Sequence, residues 1–182
     1  MFFRKRKSAF DRAADQHGQN YDDAAGMRMM AWFVVVAIIA VCLALIGSAV
    51  TADASPRRLA YIERVQGLHE VKNRKTIQAM VGVNPRRVPW CGAAIAYSVR
   101  KDGGRPPRDY LRAASWKRFG KPVSARAARP GDVVIIKTRR GYHVTLFGGW
   151  RSGGKFRGCG GNQSNRFKCS TYRVRSIVAV RR

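Results

Sequence analysis

The sequence is poor in acid. Asp and Glu together number 10 among 182 residues, against 36 Lys and Arg, for a formal net charge of +26. So unbalanced a chain attracts polyanions, and three kinds fit: nucleic acid, an anionic membrane surface, or an acidic polymer such as cell wall. Histidine is scarce, with three residues. No His, Cys, Asp and Glu cluster has metal-ligand spacing, so neither a metal nor another cofactor is expected. The four cysteines are too few for a disulfide-dense miniprotein and lack zinc-knuckle spacing. No collagen period, heptad run or internal repeat is present. Hydrophobic residues make up 46% of the chain, which excludes a wholly disordered basic tail.

The charge is unevenly placed. Residues 1–50 hold six basic and four acidic residues, a net +2, which leaves +24 for 51–182. The basic character therefore belongs to the part expected to fold.

Between them lies a long apolar run. Ala31 to Val50 reads AWFVVVAIIAVCLALIGSAV, twenty residues without a charge. At about 1.5 Å per residue a helix of this length spans roughly 30 Å, the thickness of a bilayer's hydrocarbon. Trp32 stands at one end, where an indole favours the interface. Ala52-Asp53-Ala54 has the A-x-A form of a signal-peptidase site, but the run exceeds a signal peptide's apolar core and thirty residues precede it. An uncleaved anchor is the expectation. Arg4-Lys5-Arg6-Lys7 argues for an N-terminus in the cytoplasm or a particle interior, with the rest extracytoplasmic, or periplasmic. A viral membrane is an alternative setting. The chain thus divides into a basic segment 1–30, a transmembrane helix 31–50, a linker 51–58 and a folded domain 59–182.

Within the folded part, helical patterns come first. Pro56 is preset for a first helical turn, and Leu59, Ile62 and Val65 recur at helical spacing towards Gly67. Thr76–Val81 reads as a second short helix. Trp90–Lys101 is a third, rich in alanine and stopped by Gly103-Gly104. Tyr110–Phe119 is a further amphipathic segment. After Pro130-Gly131 the pattern becomes β-branched: Val133–Ile136, Val144–Phe147 and Ser176–Val180. Helices followed by strands predict an α+β domain with a mostly antiparallel sheet.

Three residues could carry chemistry. Cys91 begins the third helix, where free N–H groups and the helix dipole favour a thiolate and a lowered pKa. The position suits a buried, inert cysteine equally well. His143 heads an alternating strand and could act as base to that cysteine, although a lone histidine there would read as structural. Antiparallel return of the chain brings Asn162 and Gln163 towards His143. Asn162 is the first choice to orient the imidazole and Gln163 the alternative, while the same Gly-Asn-Gln-Ser-Asn run also fits a plain turn. Cys159 and Cys169 bracket this loop evenly, as a cross-strand disulfide would.

These motifs occur in a fixed order: Pro89-Trp90-Cys91-Gly92-Ala93-Ala94, Ala114-Ser115-Trp116, Pro130-Gly131-Asp132-Val133-Val134, His143-Val144 and Gly160-Gly161-Asn162-Gln163-Ser164. The set resembles the NlpC-type, papain-like cysteine peptidases and the related cysteine/histidine-dependent amidohydrolase (CHAP) domains. Gly67-Leu68-His69-Glu70 resembles one branch's G-x-x-E lead-in. The resemblance implies a papain-like NlpC-type domain behind a single transmembrane helix, with Cys91 as nucleophile, His143 as base and Asn162 as third polar residue. It implies a peptidoglycan hydrolase that cuts a stem-peptide amide or its junction with the glycan, with Trp90 and Tyr142 on the substrate groove. Departures are Tyr142 in place of glycine before the histidine, Thr145-Leu146 after it, and Gly92 in place of alanine or serine. The anchor fits a wall-opening enzyme associated with virion or envelope-apparatus proteins. A tethered nucleic-acid- or wall-binding protein without catalysis is the alternative.

Overall fold

Three helices precede a sheet in the computed structural model, which describes residues 56–182. The first helix, α1 (Pro56–Glu63), buries Leu59 and Ile62. Its Arg58 is buried as well. The guanidinium donates to the Asp102 carboxylate at 2.9 Å and lies over the Phe119 ring. Removing one partner would strand a buried charge, so this pair fixes α1 against the end of the third helix. The second helix, α2 (Arg74–Val81), buries Ile77 and Val81 and stops at the left-handed Gly82. The third, α3 (Cys91–Lys101), buries Cys91, Ala93, Ala94, Ile95, Ala96 and Val99. Its small side chains let neighbouring elements approach closely.

Six strands follow: β1 (Pro122–Val123), β2 (Val133–Thr138), β3 (Gly141–Arg151), β4 (Lys155–Gly160), β5 (Lys168–Arg173) and β6 (Ile177–Arg181). They form one antiparallel sheet in the order β1-β6-β2-β3-β4-β5. The fold is α+β.

Both faces of the central strands are covered, which explains the unbroken Val133–Ile136 run. Val133, Ile135, Val144 and Leu146 pack with the helices. Val134, Ile136 and Phe147 pack with Phe156 and Val180 on the other side. The Pro130-Gly131-Asp132 turn is held by a fully buried Asp132, which accepts the Arg129 N–H at 2.8 Å and pairs with Arg182 at 2.9 Å. Cys159 and Cys169 stand opposite each other on β4 and β5 and form a disulfide.

One feature of register positions the site. β3 pairs with β2 from Gly141 onward, but its pairing with β4 begins only at Leu146. Residues 141–145 of β3 therefore have no strand beside them on the β4 side.

Some expectations change. Pro56–Arg58, assigned to the linker, already belong to α1. That helix ends at Glu63, and turns carry the chain to Gly67. Tyr110–Phe119 is not an α-helix: turns lead into a 3-10 helix, Ala113–Arg118. Trp116 explains the tighter winding, because its buried indole donates back to the Tyr110 carbonyl at 2.8 Å. The basic segment 1–30, the expected transmembrane helix 31–50 and the Ala52-Asp53-Ala54 site lie outside the described residues. Among the described residues no helix is long and apolar enough to cross a membrane.

Candidate active site

Cys91 opens α3 and is 6% exposed. Its sulfur lies against the N–H groups of Val144, of Gly92 and of Cys91 itself. These donors favour a thiolate, but burial outweighs them and pushes the thiol above its ordinary range. The expected lowering of the Cys91 pKa is thus corrected. The helix start was legible, while its enclosure by distant segments was not. Gly92 belongs to that enclosure: a Cβ there would collide with the Tyr110 carbonyl oxygen.

Trp90 is fully buried. Its indole donates to Glu70 at 3.1 Å and meets Phe167 edge-on at 4.9 Å. The placement of Trp90 on the substrate groove is therefore overturned. It is a core anchor whose ring and hydrogen bond fix the chain just before Cys91. Gly161 rests on it so closely that a Cβ would run into the Trp90 ring and Ala94.

His143 stands opposite Ile136 at the start of β3. The residue is half-buried, yet its Nε2 is wholly enclosed and has no hydrogen-bond partner. Burial lowers its pKa to about 4, so the imidazole is neutral at pH 7. Thr145 shares its strand face two residues on. Thr145 Oγ1 and the Ile95 side chain both border the space that Gly160 leaves without a Cβ, each 3.5 Å from that point. Ile95 is one helical turn from Cys91 on the same face of α3. Helix positions 91 and 95 therefore run beside strand positions 143 and 145, which directs Cys91 at the unpaired stretch of β3 that carries His143.

A polar network lies beside the imidazole. Gln163 is 4% exposed; its amide donates to Thr145 Oγ1 at 3.3 Å and accepts from the Tyr172 hydroxyl at 2.7 Å. The Tyr172 ring is 6.0 Å from that of His143. Burial pushes the Tyr172 pKa up to about 12, Ser170 opposes this by hydrogen bonding, and a charge on Cys91 would raise it further. Cys91, His143, Tyr172 and Gln163 thus share one neighbourhood.

Asn162 stands elsewhere. It has φ +57° and no hydrogen bond to His143. It lines a cleft of about 250 Å³ with Glu70, Arg86, Arg87, Pro89 and Asn165. Its neighbour Gln163 is the one of the pair that is buried. Gln163, the alternative third residue, occupies the buried network. Neither Asn162 nor Gln163 is hydrogen-bonded to the imidazole.

Tyr142 is 38% exposed and stands on the rim next to His143. The Lys117 ammonium lies 3.8 Å from its ring centre and that of Lys137 4.8 Å. A hydrogen bond and charge from Lys117, then the charge of Lys137, lower its pKa. Tyr172 and Thr145 escaped the sequence reading. The available signal was Gly158-x-Gly160, two side-chain-free positions on one strand face. A Cβ at Gly158 would sit 2.8 Å from Thr145 and 2.9 Å from the Tyr172 ring. Among the described residues the group best spaced for a metal is Glu63, Cys159 and Cys169, but its two sulfurs are bonded to each other.

Compared with known proteins, the chain matches no family model and no curated sequence.

Proposed function

We propose that residues 56–182 are a papain-like cysteine hydrolase of the NlpC/CHAP kind, which cuts an amide bond in the stem peptide of peptidoglycan or at its junction with the glycan. One observation carries the reading: Cys91 begins a helix with its sulfur on the N–H of Val144, the residue next to His143. The ordered motifs support the same assignment.

The mechanism starts from a neutral thiol and a neutral imidazole, since burial disfavours both charges. On substrate binding, His143 takes the Cys91 proton as the sulfur attacks the amide carbonyl. N–H groups at the start of α3 stabilise the oxyanion. The C–N bond breaks as His143 returns the proton to the leaving amine, and water then cleaves the thioester. The Gln163–Tyr172–Thr145 network positions the strand face that bears His143. The cleft lined by Asn162, Arg86 and Arg87 lies beside Pro89, two residues from the nucleophile, and offers donors to stem-peptide carboxylates. The basic surface concentrates the enzyme on an acidic wall, an attraction that salt weakens. Residues 31–50 would hold the domain at a membrane, outside the cytoplasm.

The second reading is a tethered, basic wall- or nucleic-acid-binding protein without catalysis, and it draws on the 6% exposure of Cys91. One experiment separates them. The full chain in detergent is incubated with purified peptidoglycan, and released fragments are weighed by mass spectrometry beside a Cys91→Ala control. New fragments that vanish in the control establish a cysteine hydrolase and identify the bond. A folded protein that releases none from several wall types sinks that reading.

A further inference from the structure

A second basic site lies at the opposite end of the sheet. From His143 to Arg151, β3 runs eight residues, about 25 Å at strand rise. There Arg151 stands directly opposite Lys155, and Lys155 directly opposite Arg173. Three cations thus sit side by side across three neighbouring strands. Like charges in this register repel and weaken a sheet. Arg175 joins them on the turn after β5, around an open hollow of about 510 Å³ lined by Gly153, Gly154, Lys155, Arg173, Val174 and Arg175.

Two ordinary explanations fall short. Charged residues on an edge strand prevent unwanted pairing. This accounts for Arg173 on the edge strand β5, but not for Lys155 and Arg151 on interior strands. Neutralisation by neighbouring acids fails as well. Among the described residues, Glu63 pairs with Arg157, Asp102 with Arg58 and Asp132 with Arg182, while Glu70 holds Trp90. The remaining acid, Asp109, precedes Tyr110, which packs on Gly92 at the far end. None of Arg151, Lys155, Arg173 and Arg175 has a carboxylate partner among the described residues.

We propose that this hollow binds successive phosphates of a phosphodiester- or phosphoanhydride-linked polymer that presents no bases to stack. Three cations line the hollow, with Arg151 beside Lys155 on the next strand; together they exceed what a single carboxylate neutralises, whereas a chain with one charge per short repeat matches them. Gly153 and Gly154, at φ +67° and +62°, have nothing within 4 Å of their missing Cβ positions, so the polymer approaches main-chain N–H groups without obstruction. No aromatic ring lines the hollow, and a single-stranded nucleic-acid site normally supplies one. The site is independent of catalysis at Cys91.

The test uses the full chain in detergent and a short inorganic polyphosphate as probe. Affinity is measured across a salt series for two triple variants of equal charge. One carries Lys155→Ser, Arg173→Ser and Arg175→Ser. The other carries Lys72→Ser, Lys75→Ser and Arg126→Ser, all exposed positions elsewhere. The proposal expects the first to lose about tenfold or more and to show a shallower salt slope, while the second loses less than about threefold. Equal losses would reduce the effect to general charge and overturn the site. Tighter binding of single-stranded DNA than of polyphosphate, lost in the first variant only, would overturn the polymer class in favour of nucleic acid.

Discussion

The sulfur of Cys91 rests on the main-chain N–H of Val144, the residue that follows His143. The contact is available because β4 pairs with β3 only from Leu146. A helix N-terminus fills the place a strand would have taken, and its first side chain meets an N–H that no ladder bond has used. The arrangement provides hydrogen bonding for a thiolate but little water, and its reactivity follows from that balance.

Because burial raises the Cys91 thiol, it should label slowly with iodoacetamide at pH 7. The rate should climb steeply towards pH 10 as thiolate forms. A preformed thiolate–imidazolium pair would label readily at pH 5, and that result would refute the neutral resting state. The same measurement in denaturant gives the rate without enclosure.

His143 makes the fold sensitive to acid. Its pKa is about 4 when folded, against 6.5 for the free side chain. Between these values the unfolded chain binds the extra proton, so stability is complete above pH 6.5 and declines as pH falls towards 4. The loss approaches about 3 kcal/mol. Urea melts from pH 4 to 7 should show this slope, and His143→Met should flatten it. An unchanged slope in the variant would assign the sensitivity to other groups.

Gln163 and Asn162 should respond oppositely. Gln163→Leu removes the buried amide that bridges the Tyr172 hydroxyl and Thr145 and should cost about 1–3 kcal/mol. Under the proposed mechanism it should also shift the pH profile of hydrolysis, because the network lies beside His143. Asn162→Gly relieves a left-handed backbone and should leave both stability and pH profile near those of the parent. A profile altered by Asn162→Gly alone would restore Asn162 as the orienting residue.

Gly92→Ala moves the sequence towards the motif of the peptidases it resembles and should nevertheless harm it. The new methyl would meet the Tyr110 carbonyl oxygen, a backbone atom that cannot swing aside. A loss of about 2–4 kcal/mol in denaturant melts is expected. A neutral result would mean that the 105–112 segment gives way easily.

Breaking the Cys159–Cys169 bond, which closes a separation of 10 residues, should cost about 2–3 kcal/mol on the loop-entropy account. A Cys159→Ser/Cys169→Ser variant measured beside the oxidised parent provides the value.

What was legible in the sequence was local. The β-branched run at Val133, the alanines after Cys91 and the even placing of Cys159 and Cys169 about a loop each reflect neighbours within a few residues. They yielded the α+β class, helix α3, strand β2 and the disulfide. The errors concern contacts between distant segments. Trp90 read as a groove residue because nothing nearby shows that Glu70 and Phe167 enclose it. Which of Asn162 and Gln163 turns inward depends on a loop with left-handed backbone at Asn162, Ser164 and Asn165, a path that composition does not encode. The 3-10 winding of Ala113–Arg118 rests on an indole reaching back to Tyr110, which an amphipathic pattern does not encode.

The strand order has a kinetic consequence. β2 to β5 form a run of sequential hairpins, and only β6 must travel back to pair with β2. Short-range hairpins close in microseconds, whereas contacts distant in sequence wait for the chain to search. Cys159 and Cys169 belong to the early, short-range part. Their oxidation therefore does not depend on β6 arriving or on α3 docking, and a chain emerging into an oxidising compartment can lock this hairpin while Cys91 is still uncovered.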